Sequence, residues 1–185
     1  MNRSPRPHGH LRRVAAVLAA MWIFAQAGRA HEPFETFTMV SVRPDDLELN
    51  LTISPWTMHK LCDPEGKIAG LTPDNFAQHR ARIAAAARTL FTVTSLKKAL
   101  AVRSVVVALT EENDVSVRLV YPRPAEGKLT VQSAYLTKLG EPYGGIIDSA
   151  DSDGRQLGWE QIAWDKPDLE ITVLAASTGA GAEKK

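Results

Sequence analysis

The sequence predicts an all-β fold, an antiparallel immunoglobulin-like sandwich of about seven or eight strands carrying one α-helix near residues 73–90. Three observations predict it. Apolar and polar residues alternate with a period of two along most of the chain after residue 35. Clusters of Pro, Gly, Asp and Asn interrupt the alternation at short intervals. A single stretch switches to helical spacing.

Taken in order, Phe37, Met39 and Val42 belong to a first strand, and Leu47, Leu49, Leu51 and Ile53 alternate with Glu48, Asn50 and Thr52 in a second. Arg43-Pro44-Asp45-Asp46 joins them as a turn, because Pro fixes φ and Asp bonds its own backbone. Residues 55–71 read as irregular, with Pro55, Asp63-Pro64 and Gly66 as breakers. Thr72-Pro73-Asp74-Asn75 then opens the helix: Thr72 caps it, Pro73 takes the first helical position and Asp74 suits the dipole. Phe76, Ile83, Ala87 and Leu90 share its apolar face. Period two returns in Leu100–Leu109, in Val115, Val117, Leu119 and Tyr121, and in Leu129, Val131, Ser133 and Tyr135. A short strand from Ile146-Ile147, a strand over Gln156–Trp164, and Leu169, Ile171 and Val173 complete the set.

The first thirty residues predict where the chain goes. Arg3, Arg6, Arg12 and Arg13 precede an apolar run from Val14 to Ala27 that is too short to span a bilayer, and small residues follow. This is a secretory signal peptide over residues 1–30, cleaved after Ala27 or after Ala30, which leaves Gly28 or His31 as the first residue. The expectation is a periplasmic or secreted protein with a single domain over 31–176 and a disordered polar tail over 177–185.

Residues 1–30 hold five arginines and no acids, so the remainder carries 17 basic against 21 acidic residues. A mildly acidic body without a basic block offers no footprint for nucleic acid. No second apolar stretch approaches the ~20 residues of a membrane helix, so no membrane span is expected in the mature chain. Cys62 is the one cysteine, which excludes an internal disulfide.

His31-Glu32-Pro33-Phe34 directly after the leader, two alternating strands, a mid-chain helix, Leu119-Val120-Tyr121-Pro122 and the strands around Leu157-Gly158-Trp159 together form a layout. In that layout the chain resembles the exported β-domains that precede the membrane helices of HupE/UreJ-type proteins. The resemblance implies a nickel context. It does not carry transport with it, since the helical membrane part of that family has no counterpart here. A looser resemblance is to small copper-carrier sandwiches that begin with histidine, although their methionine-rich runs are missing.

Candidate chemistry follows from a few side chains. A mature chain starting at His31 offers its α-amine and an imidazole nitrogen to one ion, a chelate that suits Cu(II), Ni(II) or Zn(II). His59 or His79 would supply a second imidazole. In Met58-His59-Lys60-Leu61-Cys62, a helical conformation would set His59 and Cys62 one turn apart, with Met58 as a soft outer ligand. The competing reading is a surface loop with a buried thiol. Asp148, Asp151 and Asp153 before Gly154 suggest a calcium loop but lack its closing glutamate, so an Asp-Gly hairpin turn is expected. Tyr121, Tyr135, Tyr143, Trp159 and Trp164 are candidates for a sugar- or peptide-binding face, or for core packing. No Gly-x-Ser-x-Gly elbow occurs and Cys62 has no protease surroundings, so no enzyme is expected. The expected function is an exported, soluble β-sandwich binding module acting on a ligand or another envelope protein. The alternative is a periplasmic copper- or nickel-binding accessory protein built on His31, His59 and Cys62.

Overall fold

A computed structural model describes residues 35–67 and 69–175. The leader, both cleavage sites, His31 and the 177–185 tail lie outside the described residues.

Alternation in the sequence becomes alternation in burial. The first strand, β1 (Glu35–Val42), turns back into β2 (Asp46–Ile53), whose Leu47, Leu49, Leu51 and Ile53 are all buried. Each such side chain contributes about 1.5–3 kcal/mol by leaving water. The next element is a helix, α1 (Pro55–Cys62), where a loop was expected. Ser54 accepts a hydrogen bond from the Thr57 backbone N–H at 3.2 Å, and Pro55 occupies the first turn, where its missing N–H costs nothing. Pro55 therefore starts a helix here rather than breaking one.

The expected helix near 73–90 is shorter, α2 (Phe76–Ala87). Asn75 ties down the preceding turn instead of Thr72 capping the helix. Its Oδ1 accepts from the Thr72 N–H at 2.8 Å and its Nδ2 donates to the Gly70 carbonyl at 2.9 Å. At the other end, Thr89 and Leu90 bond back three residues, which tightens and ends the helix. Phe76, Ile83 and Ala87 are buried, as the spacing predicts.

Two short strands follow, β3 (Thr92–Ser95) and β4 (Lys98–Ala99), joined by Leu96 and Lys97 at positive φ. The alternation places no strands there, because that turn carries no Asn-Gly or Asp-Gly signal. The long segment expected at Leu100–Leu109 pairs only as β5 (Ser104–Leu109), ahead of β6 (Val115–Pro122) and β7 (Gly127–Gln132). Ser133 and Tyr135 do not extend β7. The chain leaves the sheet at Ser133 and forms a third helix, α3 (Ala134–Leu139). The last strands are β8 (Gly144–Asp151), β9 (Gln156–Ala163) and β10 (Asp168–Val173).

The fold is thus mostly β, with ten strands and three helices among the described residues, rather than seven or eight strands and one helix. One sheet has six strands in the order β5-β6-β2-β1-β8-β9, and the other has four in the order β10-β7-β3-β4. All pairings are antiparallel except one: β1 and β8 run parallel, with Glu35 opposite Gly144 and Val42 opposite Asp151. The purely antiparallel expectation is corrected at that junction. A single buried core draws on both sheets and all three helices, including Met58, Ile83 and Tyr135. The sheets meet at β9 and β10, where a Cβ on Gly158 would lie 2.8 Å from Ile171 Cγ2.

Candidate functional site

The six-stranded sheet has two unlike faces. One face packs into the core. The other carries Phe37 and Met39 from β1, Asn50 and Thr52 from β2, Ser116 and Arg118 from β6, Val106 from β5, Ile146 and Asp148 from β8, and Trp159 from β9. Pairing places Val106, Arg118, Asn50, Met39, Asp148 and Trp159 in one row across the sheet. Phe37 and Ile146 lie side by side in the next row. Trp159 is 54% exposed and Phe37 43%, unusual values for residues that normally bury most of their surface.

This outer face holds one buried charge. Glu48 is only 3% exposed although it points away from the core, because two arginines close over it. Its Oε1 accepts from Arg43 Nη2 at 2.9 Å and Asn50 Nδ2 at 2.8 Å. Its Oε2 accepts from Arg118 Nε at 2.6 Å and Nη2 at 2.5 Å. Burial alone would push the Glu48 carboxyl up, but the hydrogen bonds from Arg118 and Asn50 and the charges of Arg118 and Arg43 outweigh it and hold it below the usual range. A lowered carboxyl contributes stability that is present above its unfolded value and is lost as pH falls through the folded one. Glu48→Gln is therefore expected to cost about 1–3 kcal/mol at neutral pH. Its unfolding midpoint should also fall less steeply than wild type below about pH 5. Thermal unfolding of both proteins between neutral and acid pH checks this, and parallel curves would refute it.

The second candidate region lies at the end of the sheet where β1 and β8 begin. Tyr143 precedes β8, and α1 starts where β2 ends, opposite the start of β1. Trp56 and Tyr143 stack with centroids 6.3 Å apart, and the Lys60 ammonium sits 4.3 Å from the first ring and 5.5 Å from the second. On the same helix His59 and Cys62 stand one turn apart, as the helical alternative required, and the surface-loop reading of this segment is corrected. Met58 is fully buried and faces the core. His59 Nδ1 is buried and makes no hydrogen bond. Burial pushes the Cys62 thiol up to about 11, with the nearby Arg82 charge only partly opposing it, so it stays protonated at neutral pH. Alkylation of Cys62 in the folded protein should run at least about 100-fold slower than in denaturant. Equal rates would refute this. His79 lies on α2, and Asp63, buried at the end of α1, pairs with Arg82 of α2 at 3.1 Å.

Among the described residues, no three His, Cys, Asp or Glu side chains come together as a metal-binding group. Asp151 Oδ1 accepts from the Asp153 and Arg155 N–H groups, and Gly154 takes φ +78°, which makes this segment the expected hairpin turn. Of the five aromatic candidates, Tyr121, Tyr135 and Tyr143 are buried, while Trp159 and Trp164 are exposed. A cavity of about 290 Å³ beside that hairpin holds two guanidiniums, but Arg155 pairs with Asp151 and Arg123 donates to the Arg43 and Leu174 carbonyls. No helix among the described residues is long and apolar enough to cross a membrane.

Phe37, Met39, Ile146, Val106 and Arg118 were not among the sequence candidates. For Phe37, Met39 and Ile146 the signal was present in β1 and β8, where apolar residues occupy both strand parities, as in Met39 beside Val40 or Ile146 beside Ile147; Val106 and Arg118 carried none. No protein-family model and no curated protein matches the chain.

Proposed function

We propose that the chain is an exported, soluble binding module of the cell envelope, periplasmic or secreted, without chemistry of its own. It presents the outer face of the six-stranded sheet to a protein partner. The half-exposed Trp159, grouped with Phe37 and Ile146 on a sheet whose other face is core, carries this reading. Tryptophan, phenylalanine, methionine and arginine are the residues enriched at the centres of protein interfaces. A sheet face is broad rather than concave, which suits a macromolecule better than a small molecule. On this reading the two sheets form the expected immunoglobulin-like sandwich, and the basic and apolar leader supplies the route out of the cytoplasm. The test is a photo-crosslinking amino acid at position 159 in living cells, with position 111 in the β5–β6 turn as control. A protein adduct from 159 alone is expected. No adduct from 159, or equal yields from both sites, would overturn the reading.

A second reading keeps copper or nickel, bound by His31, His59 and Cys62. What favours it is the unpartnered Nδ1 of His59 on α1, at the sheet end where β1 starts. Glu35 follows His31 by four residues, a length that spans at most about 14 Å. The layout shared with HupE/UreJ-type proteins points the same way. The protonated Cys62 weakens the third ligand. Calorimetric titration of the mature chain with Cu(II) or Ni(II) decides the matter. One-to-one binding that weakens at low pH and is lost in His31→Ala supports the reading, and unchanged binding by that variant refutes it.

A further inference from the structure

We infer that the outer face of the six-stranded sheet takes a second copy of this chain, face to face about a two-fold axis parallel to the strands. The inference rests on the outer face being the binding surface, and names its occupant.

A two-fold interface must be self-complementary: whatever one half of the patch offers, the other half must accept. The seam between β2 and β1 divides this face into halves of three strands each, β5-β6-β2 and β1-β8-β9. A two-fold axis along that seam lays β5 over the partner's β9, β6 over its β8 and β2 over its β1. The halves are complementary at one pair of charges. Arg118 on β6 and Asp148 on β8 lie in the same row, each one strand away from the seam strands, so each Arg118 faces the other copy's Asp148. Glu48 holds Arg118 through Nε and Nη2, while Nη1 makes no hydrogen bond among the described residues, on a side chain that is 46% exposed. Asp148 uses Oδ1 for Ser149 and Gln156, while Oδ2 accepts no hydrogen bond among the described residues. Arg43 and Arg118 against Glu48 and Asp46, which share the outer parity of β2, leave the β5-β6-β2 half neutral, with Arg118 as its exposed cation. Glu35 and Asp148 make the other half acidic, so it is complementary to the exposed Arg118 of the facing copy.

The halves also match in size. Trp159 falls opposite Val106 of the other copy, Ile146 opposite Ser116, and Phe37 opposite Thr52. Large side chains of one half thus meet small ones of the other, which is how two sheets fill a gap of about 10 Å. A two-fold axis across the strands through this row would instead set Trp159 against Trp159 and Arg118 against Arg118.

The face measures about 24 by 26 Å, roughly 600 Å² in projection, against the ~800 Å² per partner of a standard interface. The dimer should accordingly be reversible, with a dissociation constant of about 1–100 μM.

Sedimentation of the purified chain, as the cell makes it, across that concentration range tests the inference. A monomer–dimer equilibrium is expected, weakened at least tenfold by Trp159→Glu and by Asp148→Arg, both at positions that are not buried. Arg118→Asp should also be monomeric, yet mixing it with Asp148→Arg should restore a heterodimer, because only the mixed pair has opposite charges at both contacts. Should Arg118→Asp fail to fold without its contact to Glu48, the Trp159→Glu and Asp148→Arg measurements still decide. A monomer at every concentration, or a dimer indifferent to Trp159→Glu and Asp148→Arg, overturns the inference. If a photo-crosslinker at 159 then captures a different protein, the binding-face reading stands and only the second copy is excluded. If it captures nothing, both fall.

Discussion

Gly145→Ala is expected to lower the unfolding midpoint by about 10 °C or more, a loss of at least about 4 kcal/mol for a chain of this size. An alanine Cβ at this position would sit 2.2 Å from the Thr36 carbonyl oxygen, 2.3 Å from its Oγ1 and 2.9 Å from its carbonyl carbon. Two of those atoms are backbone of the neighbouring strand, so no rotamer change relieves the clash. Relief requires prying β1 away from β8, the one parallel junction, through which β8 and β9 join the other four strands. Gly154→Ala is the control. Nothing lies within 4 Å of its Cβ, and its φ of +78° costs only about 1–2 kcal/mol. Circular dichroism melts of both variants give the comparison, and a Gly145→Ala melt within about 2 °C of wild type would refute the packing argument.

Tyr135→Ala is expected to cost about 3–5 kcal/mol, and Tyr135→Phe about 1 kcal/mol. Tyr135 is fully buried on α3, where the ring meets Phe91 edge-on with centroids 5.5 Å apart. Its hydroxyl lies 2.6 Å from Thr36 Oγ1, and Thr36 donates its own proton to the Gly144 carbonyl at 3.2 Å. Tyr135 is therefore the donor to Thr36. Burial also pushes the phenol up to about 12, which keeps that proton in place. The phenylalanine variant removes one hydrogen bond and leaves Thr36 satisfied by Gly144. The alanine variant opens a cavity between α3 and the start of β1. Chemical denaturation of both separates the two contributions, and equal losses would show that the ring contributes nothing beyond its hydroxyl.

The elements that were legible in the sequence are those whose cause is local. Leu47 to Ile53 alternate because one face of β2 is core, and that periodicity survives in any sequence register. The β1–β2 turn at Pro44 and the Asp151–Gly154 hairpin follow from backbone preferences of a few consecutive residues. The helix at Pro55–Cys62 has a local signal too, Ser54 followed by Pro55, the same cap-and-proline pattern that Thr72-Pro73 suggests further along.

Other features depend on partners far away in the chain. The alternation of Leu129, Val131, Ser133 and Tyr135 suggests one continuous strand, yet the Ser133 N–H bonds to the Pro167 carbonyl and the Tyr135 N–H to the Leu90 carbonyl. Those two bonds pull the chain out of β7 into α3. Nothing local in Thr36 or Gly145 announces that they lie against each other, 109 residues apart, in a parallel ladder. The outer face has the same origin. Phe37, Ile146 and Trp159 each read as an ordinary strand residue, and only the order β1-β8-β9 gathers them beside Asp148 and across the sheet from Arg118. Periodicity marked most of the segments that became strands, and the core side of those such as β2 and β6 that alternate cleanly. The neighbours of each strand, and so the surface that could bind, were decided by backbone pairing and close packing between segments whose sequences carry no mark of one another.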